Sequence, residues 1–464
     1  MKYETINDEL LAIGDTALKH AESLDSAMEY EIFLFYQNTQ SVSIQQGIVS
    51  ANDGATTGNA VRVSKGKKVG FASASGISLD RVKFSIKEAK SIVEKTSSED
   101  ERWVGFADPK PAGKDGLFSK DILSVSIDEL IEKTQQIIED AQGIDERVKV
   151  FSGQSNTGWG GYAIISSRGI AAASRGGFNY GYGYVMSIEG EERKTGFGFD
   201  GARDRLFDIE GLGELAVKRA TEQHGAKALD MTESLPTIWG PRAGDSYIIP
   251  SIATASTGRF IVEGISPLCD MIGDTIASKE FTLVDDGQKP DGWGTSAVDH
   301  EGLPQQKNVI VESGVLKTHL FDTYYGKIFG IGSTGNCERS QGLFGGATPY
   351  EQTPGVSVKT ISVSPGSKSK EEIFGAIDGK AIYITESPIG IFHSSVATGE
   401  FSCVANSVFL VEDGEIVTPL KPVSVAGNFY EGFKNILHVG SDVELTTNGV
   451  FLPTMVIDGF SVTG

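Results

Sequence analysis

Hydrophobic periodicity, and the order in which its two periods alternate, constrains this fold more than any single motif. Apolar residues recur at helical intervals over 5 to 24, on Ile6, Leu10, Ile13, Ala17, Ala21 and Leu24. Two strand regions follow, EYEIFLFYQ (29 to 37) and one ending in GNAVRVSKGKKVGFAS (58 to 73). A second helical stripe then runs from Leu79 to about Lys95, with Ser78 placed as its N-cap. The cycle repeats. Ser126 and Glu129 have capping-box spacing, the stripe Ile127, Leu130, Ile131, Ile137, Ile138 follows, and Gly143 stands where the chain should leave the helix. VKVFSGQ (148 to 154), GYAIISSRG (161 to 169) and GGFNYGYGYVMSIEG (176 to 190) read as strands, and a fourth helix spans about 208 to 223.

Helix, strands, helix therefore occurs twice, which predicts an α+β N-terminal region, 1–230, of two similar units with antiparallel sheets, about 1–100 and 117–230. No residue-level repeat accompanies it. The charged, proline-bearing stretch 96 to 116 reads as the linker or exposed loop between the units. From Pro236 onward helical signals thin and hairpin signals take over, with Ser313-Gly314 and Asp413-Gly414 at two turns. Residues 231–464 are expected to form a β-rich domain, barrel-like or a twisted antiparallel sheet, with a few helices such as those near 250 to 262 and 369 to 377. Glycine supports this: 57 of 464 residues is about 12%, against a usual ~7%.

Charge bounds the partners. With 41 Lys and Arg against 62 Asp and Glu, the net charge of −21 repels phosphate backbones and anionic lipid, so neither direct nucleic-acid binding nor membrane association is expected. The start, MKYETINDELLAIGD, lacks the basic and apolar regions of a secretory signal, and no run of 18 apolar residues occurs, so a cytoplasmic location is expected. Cys269, Cys337 and Cys403 are far apart and odd in number, which points to buried free thiols.

Side-chain motifs are sparse. Two segments match GxGxxG, at Gly196, Gly198, Gly201 and at Gly330, Gly332, Gly335, but neither opens a long apolar-periodic helix, so both read as glycine-rich turns. No GxSxG or GxxxxGK[ST] is present. The six histidines, His20, His224, His300, His319, His393 and His438, include no pair within five residues, and the helical ligand pair of a hydrolytic zinc site cannot be built on His300-Glu301, which reads as a loop beside a turn. Histidines such as His300, His319 and His393 could still meet in the folded chain.

Taken together, GNAVRVSKGKKVGFAS (58 to 73), FTLVDDG (281 to 287), DHEGLPQQKNVIVESGVLKTHLFDTYYGKIFGIGSTGN (299 to 336), SVATGEFSCVANSVFLVEDGEIVTPLKPVSVAGN (395 to 428) and FLPTMVIDGFSVTG (451 to 464) resemble the TldD/PmbA family, historically labelled modulators of DNA gyrase. The match extends from about residue 45 to the end, and its order and spacing carry it. The resemblance implies a metallopeptidase-like fold. In the TldD branch, zinc is held by the two histidines of an HExxxH helix and a cysteine near the C-terminus. Counting back without gaps from VDDG, that motif falls on GDSYIIPSIATASTG (244 to 258), its His, Glu and second His on Ile249, Pro250 and Thr254. None of these binds zinc or serves as a base. The last cysteine is Cys403, and nothing after Asn428 replaces the missing thiolate.

The chain thus resembles the PmbA (TldE) branch, in which the helix persists without its ligands. That implies no catalytic or metal-ligating residue and no cofactor in this chain, and zinc in a TldD-like partner. The implied function is that of a non-catalytic subunit, paired with that partner or with itself, in a cytoplasmic complex that processes extended peptides. Ile249, Pro250 and Thr254 are expected to line the peptide cleft by their place in the motif, and His393 and Ser394 by their position in IGIFHSS beside ATGEFS. Two rival readings remain: a stand-alone metallopeptidase or hydrolase with an unrecognised site, and a homodimeric peptide-binding scaffold.

Overall fold

The computed structural model describes residues 1–339 and 348–464. The two N-terminal units share one six-stranded antiparallel sheet. Its strands are β1 (Glu29–Gln45), β2 (Ile48–Lys65), β3 (Lys68–Ser75), β4 (Val148–Ser166), β5 (Ala171–Glu189) and β6 (Glu192–Ala202), in the order β3-β2-β1-β4-β5-β6. The seam between the units is the β1–β4 pairing, from Glu31 opposite Ser166 to Gln45 opposite Ser152.

One face of this sheet carries the four helices α1 (Ile6–Leu24), α2 (Leu79–Lys95), α3 (Ile127–Ala141) and α4 (Leu212–Thr221). Leu10 and Ala17 of α1 and Ile86 of α2 pack on Ile32, Leu34, Val61 and Val63, while Leu130 of α3 meets Val42 and Ile44. The opposite face presents Phe33, Phe35, Ala60 and Ile164 to Val298, Leu303 and Tyr350 of the C-terminal half. Burial on both faces explains why EIFLFY is apolar without alternation.

Several expectations shift at this level. The strands are longer than their apolar runs, because β1 and β2 continue into a polar arm closed by Gln46 and Gly47, both at positive φ (50° and 79°). VKVFSGQ and the GYAIIS part of GYAIISSRG lie in one strand, β4. GFGFDG is strand rather than turn. It lies in β6, where a Cβ on Gly196 or Gly198 would stand 1.9 Å from the Ala216 carbonyl oxygen or 2.1 Å from that of Leu212, so glycine there lets α4 lie against the sheet. The second glycine segment does turn, with Gly330, Gly332 and Gly335 all at positive φ; the end of the stretch after it, residues 340–347, lies outside the described residues. The 96 to 116 stretch is no simple exposed loop, since Trp103, Phe106 and Ala107 are buried and the Trp103 indole donates to Ser64 Oγ at 2.7 Å. Of the helix termini, Ser126 Oγ accepts from the Glu129 N–H at 3.2 Å, whereas Ser78 stands at its N-cap without a side-chain bond.

The C-terminal half holds two larger sheets. In one, β7 (Thr232–Trp239) lies between the antiparallel Met455–Thr463 and the parallel Lys380–Ile384. In the other, Leu283–Asp286 pairs with Lys307–Glu312 and with Ile361–Val363. Neither closes into a barrel, and each contains one parallel pairing among antiparallel ones. The two anticipated hairpins are present, with φ of 46° and 83° at Ser313-Gly314 and 46° and 86° at Asp413-Gly414. The helix near 369 to 377 is Lys370–Phe374, started by a capping box on Ser369. Cys337 and Cys403 are buried free thiols, and Cys269 is half-buried.

Candidate functional site

The segment 244 to 258 is assembled by a helix that a proline interrupts. β7 delivers the chain to Gly240, and Pro241 starts α5 (Pro241–Ile248) at the helical position where a missing N–H costs nothing. Almost all of α5 is buried, so the helix is fixed by packing: the Tyr247 ring sits 5.3 Å from Trp239, 5.2 Å from Phe429 and 4.9 Å from Phe433, and its hydroxyl donates to the Phe429 carbonyl at 2.8 Å. Pro250 then has no N–H to continue the ladder, and the backbone widens into a π turn over Ile249–Ala253, with Ser251 off helical geometry. Hydroxyls compensate: Ser251 Oγ donates to the Tyr247 carbonyl and Thr254 Oγ1 to that of Ile249, the latter at 2.6 Å. The helix expected at 250 to 262 is thus an earlier one, α5, followed by this turn and a short helix at Gly258–Val262.

The π turn forms one wall of an apolar trough of about 530 Å³. Ile249, Pro250 and Thr254 line it, and Val356, Phe392 and Ser394 face them. Four of the five residues singled out in the sequence therefore meet. His393 does not join them, because it is exposed on the 3-10 turn Ile391–His393 beside the trough. Arg259, Val356 and Ser357 also line a second cavity of about 910 Å³, so trough and chamber adjoin. Between them runs the two-stranded ribbon Cys337–Glu338 with Gly355–Val356.

The chamber is polar, and its floor is a buried ion network joining the two halves of the chain. Arg62 of β2 stands opposite Glu31 of β1 and binds it twice, Nε to Oε1 at 2.9 Å and Nη2 to Oε2 at 2.7 Å. From the C-terminal half, Glu301 accepts from Arg62 at 3.1 Å and from the Thr323 N–H at 2.9 Å, while Arg339 donates to Glu31 at 2.9 Å. Burial works against the charge on Glu301, but Arg62 overrides it and keeps this carboxyl below its ordinary pKa. Asp299 and Asp322 accept no hydrogen bond from a cation among the described residues, and burial together with the Glu301 charge raises both to about 7 against the weaker pull of Lys359 on the one and Arg62 on the other. His300 is fully enclosed; burial holds it neutral down to about pH 4, its Nδ1 accepting from the Arg339 N–H at 2.8 Å.

His300 does sit on a turn, yet that turn belongs to the network. Sequence reading weighed Glu301 only as a zinc-motif neighbour of His300 and passed over Glu31, Arg62 and Arg339, although for the first two the signal was there: a charge inside each of two apolar strand runs needs a buried partner. The histidines do not converge. His319 lies buried against Phe321 and Phe329, its ring nitrogens without hydrogen-bond partners among the described residues, whereas the His300 ring packs against Phe33 and Tyr162. Among the described residues no group of three or more His, Cys, Asp or Glu side chains is placed to hold a metal ion. At the trough itself, an alkyl chain, a pyrrolidine ring and a hydroxyl already donated to Ile249 do not fit zinc.

Comparison with known proteins agrees with this architecture. Residues 30–93, 120–223 and 232–464 match, in turn, domain 1, the central domain and the C-terminal domain of the PmbA/TldA metallopeptidases. A metalloprotease TldD homolog of Buchnera aphidicola is 23% identical, covering 96% of this chain and 93% of its own. A metalloprotease PmbA homolog of Haemophilus influenzae is 25% identical, covering 89% and 88%. Among solved structures, TldE from Thermococcus kodakarensis superposes with a TM-score of 0.87 at 26% identity, covering 97% of this chain and all of the other. Matched along nearly its whole length, the chain belongs to the PmbA/TldD family of metallopeptidase-like proteins.

Proposed function

We propose that this chain is the non-catalytic subunit of a TldD-type zinc metallopeptidase, holding an extended peptide for a zinc-bearing partner. The observation that carries the reading is the wall of the trough, where the residues standing at the family's zinc-motif positions, Ile249, Pro250 and Thr254, face the cavity and offer no ligand. What they offer is an apolar groove beside the strand Gly355–Val356, which among the described residues pairs on one edge only, with Cys337–Glu338. An edge left unpaired binds an extended peptide by backbone hydrogen bonds, while the groove takes alternate side chains and asks little of their identity. This reading takes the complex to be cytoplasmic, as the sequence resemblance implies. No described helix is long and apolar enough to cross a membrane.

The test is to purify the chain alone and after co-expression with a TldD-like partner carrying HExxxH, and to measure zinc and chelator-sensitive cleavage of an unstructured peptide in both preparations. Zinc and cleavage confined to the mixed complex are expected. Ile249→Trp, which narrows the trough with an added ring, should lower cleavage about tenfold or more while leaving the zinc content unchanged. Stoichiometric zinc with cleavage in the chain alone would replace this reading with that of a stand-alone hydrolase. Peptide binding by a homodimer that ignores the partner would replace it with a scaffold.

A further inference from the structure

At the opposite end of α5 from the trough lies a third cavity, of about 460 Å³, with no part in the peptide reading. It forms where α4 of the N-terminal half meets the C-terminal sheet, and cations outnumber carboxylates in its lining: Lys218 and Arg219 from α4, Arg242 from the first turn of α5, and Lys370, against Glu222 and Glu444. The four converge, since all of them oppose the burial that raises the pKa of the Glu222 carboxyl at the rim. They face three carboxylates, those of Glu222 and Glu444 in the lining and of Glu386, which pairs with Arg242.

Two features make this more than a basic rim. Arg219 and Arg242 both donate to one acceptor, the Phe197 carbonyl, at 2.7 and 3.2 Å, which sets two guanidinium groups side by side. Burial and the charge of Arg219 together lower the pKa of Arg242 to about 9. Arg219 uses one of its five N–H groups on that carbonyl and makes no direct ion pair among the described residues, although Glu444 and Glu222 lie within its electrostatic reach. The cavity also receives the N-terminus of α5, where Gly240 supplies no side-chain cap and the positive end of the helix dipole faces the lining. Leu215, Phe409, Ile416 and Val417 complete the wall with apolar surface, the last two at the mouth and each 52% exposed.

We propose that this cavity is a binding site for a small phosphate monoester, the phosphate lodged between Arg219, Lys370 and the start of α5 and the organic part against the apolar mouth. A dianion relieves the repulsion between the paired guanidiniums, takes up the spare donors of Arg219 and complements the helix terminus. A peptide carboxylate has half the charge and too few oxygens to do all three.

The probes are phenyl phosphate, inorganic phosphate and benzoate, titrated calorimetrically into the full-length chain at matched ionic strength. Phenyl phosphate should bind most tightly, at least about tenfold better than benzoate, with inorganic phosphate between them. Arg219→Gln and Lys370→Gln should each weaken phenyl phosphate about tenfold, the loss of a charge-assisted contact, without altering the circular dichroism spectrum. If Arg219→Gln does not fold, Lys218→Gln, at an exposed position on α4, takes its place with a smaller expected loss. No binding of phenyl phosphate, equal binding of benzoate, or undiminished binding by the folded variants would each overturn the proposal.

Discussion

Replacing Arg62 with methionine removes three charge-assisted hydrogen bonds, two to Glu31 and one to Glu301, and the guanidinium that lies 5.0 Å from the Phe106 ring. The two carboxylates are left in different straits. Glu31 keeps Arg339, while Glu301 keeps a backbone N–H and stands stranded beside Asp299 and Asp322. Breaking a buried pair in this way costs about 3–5 kcal/mol. Much of that arises from one uncompensated charge, so the cost should be pH-dependent. Without Arg62 the Glu301 carboxyl is raised above its unfolded value, and the folded variant holds a proton that the unfolded chain has released. The penalty is therefore largest near pH 7.5 and shrinks as pH falls toward 5, and Arg62→Met/Glu301→Gln should recover part of it. Native-state hydrogen exchange reads the opening of this region directly. Amides of β1, β2 and residues 301–323 should open together at a free energy lowered by about 3 kcal/mol at pH 7.5. A drop below about 1 kcal/mol, or one independent of pH, would refute the claim that this network holds the two halves together.

Three further outcomes follow from particular contacts. Gly198→Ala drives a Cβ against the α4 backbone and should destabilise by about 3 kcal/mol, whereas Gly54→Ala, with open space around it, should be close to neutral in the same denaturation assay. His319 is 1% exposed and burial holds its pKa at about 4, so below pH 6.5 the unfolded chain takes up a proton that the folded one refuses. Stability from this residue is lost as pH falls toward 4, and His319→Leu should gain about 1 kcal/mol over the parent at pH 5.5 relative to pH 7.5, read from urea midpoints at each pH. Ser126→Ala should cost about 1 kcal/mol by the same measurement, through the lost bond to the Glu129 N–H.

Much of this molecule was legible in the residue order. Helical stripes, hairpin dipeptides and the Ser126 cap are local signals, each expressing the conformational preference of a few consecutive residues, and they survive into the fold. Position within a family motif likewise pointed to Ile249, Pro250 and Thr254 on one cavity wall, but it is the wider π turn that brings Ile249 and Thr254, five residues apart, to the same side. Other features depended on neighbours distant in sequence. GFGFDG looks like a turn until α4 lies against it, and His300-Glu301 looks like surface loop until Arg62, 239 residues from Glu301, closes over it. The pairing of Arg219 with Arg242 is of the same kind. A sequence displays which groups need partners; which partner each finds is decided by the burial of surfaces far apart in the chain, where a charge is stable only beside its complement and a glycine is required only where another backbone comes close.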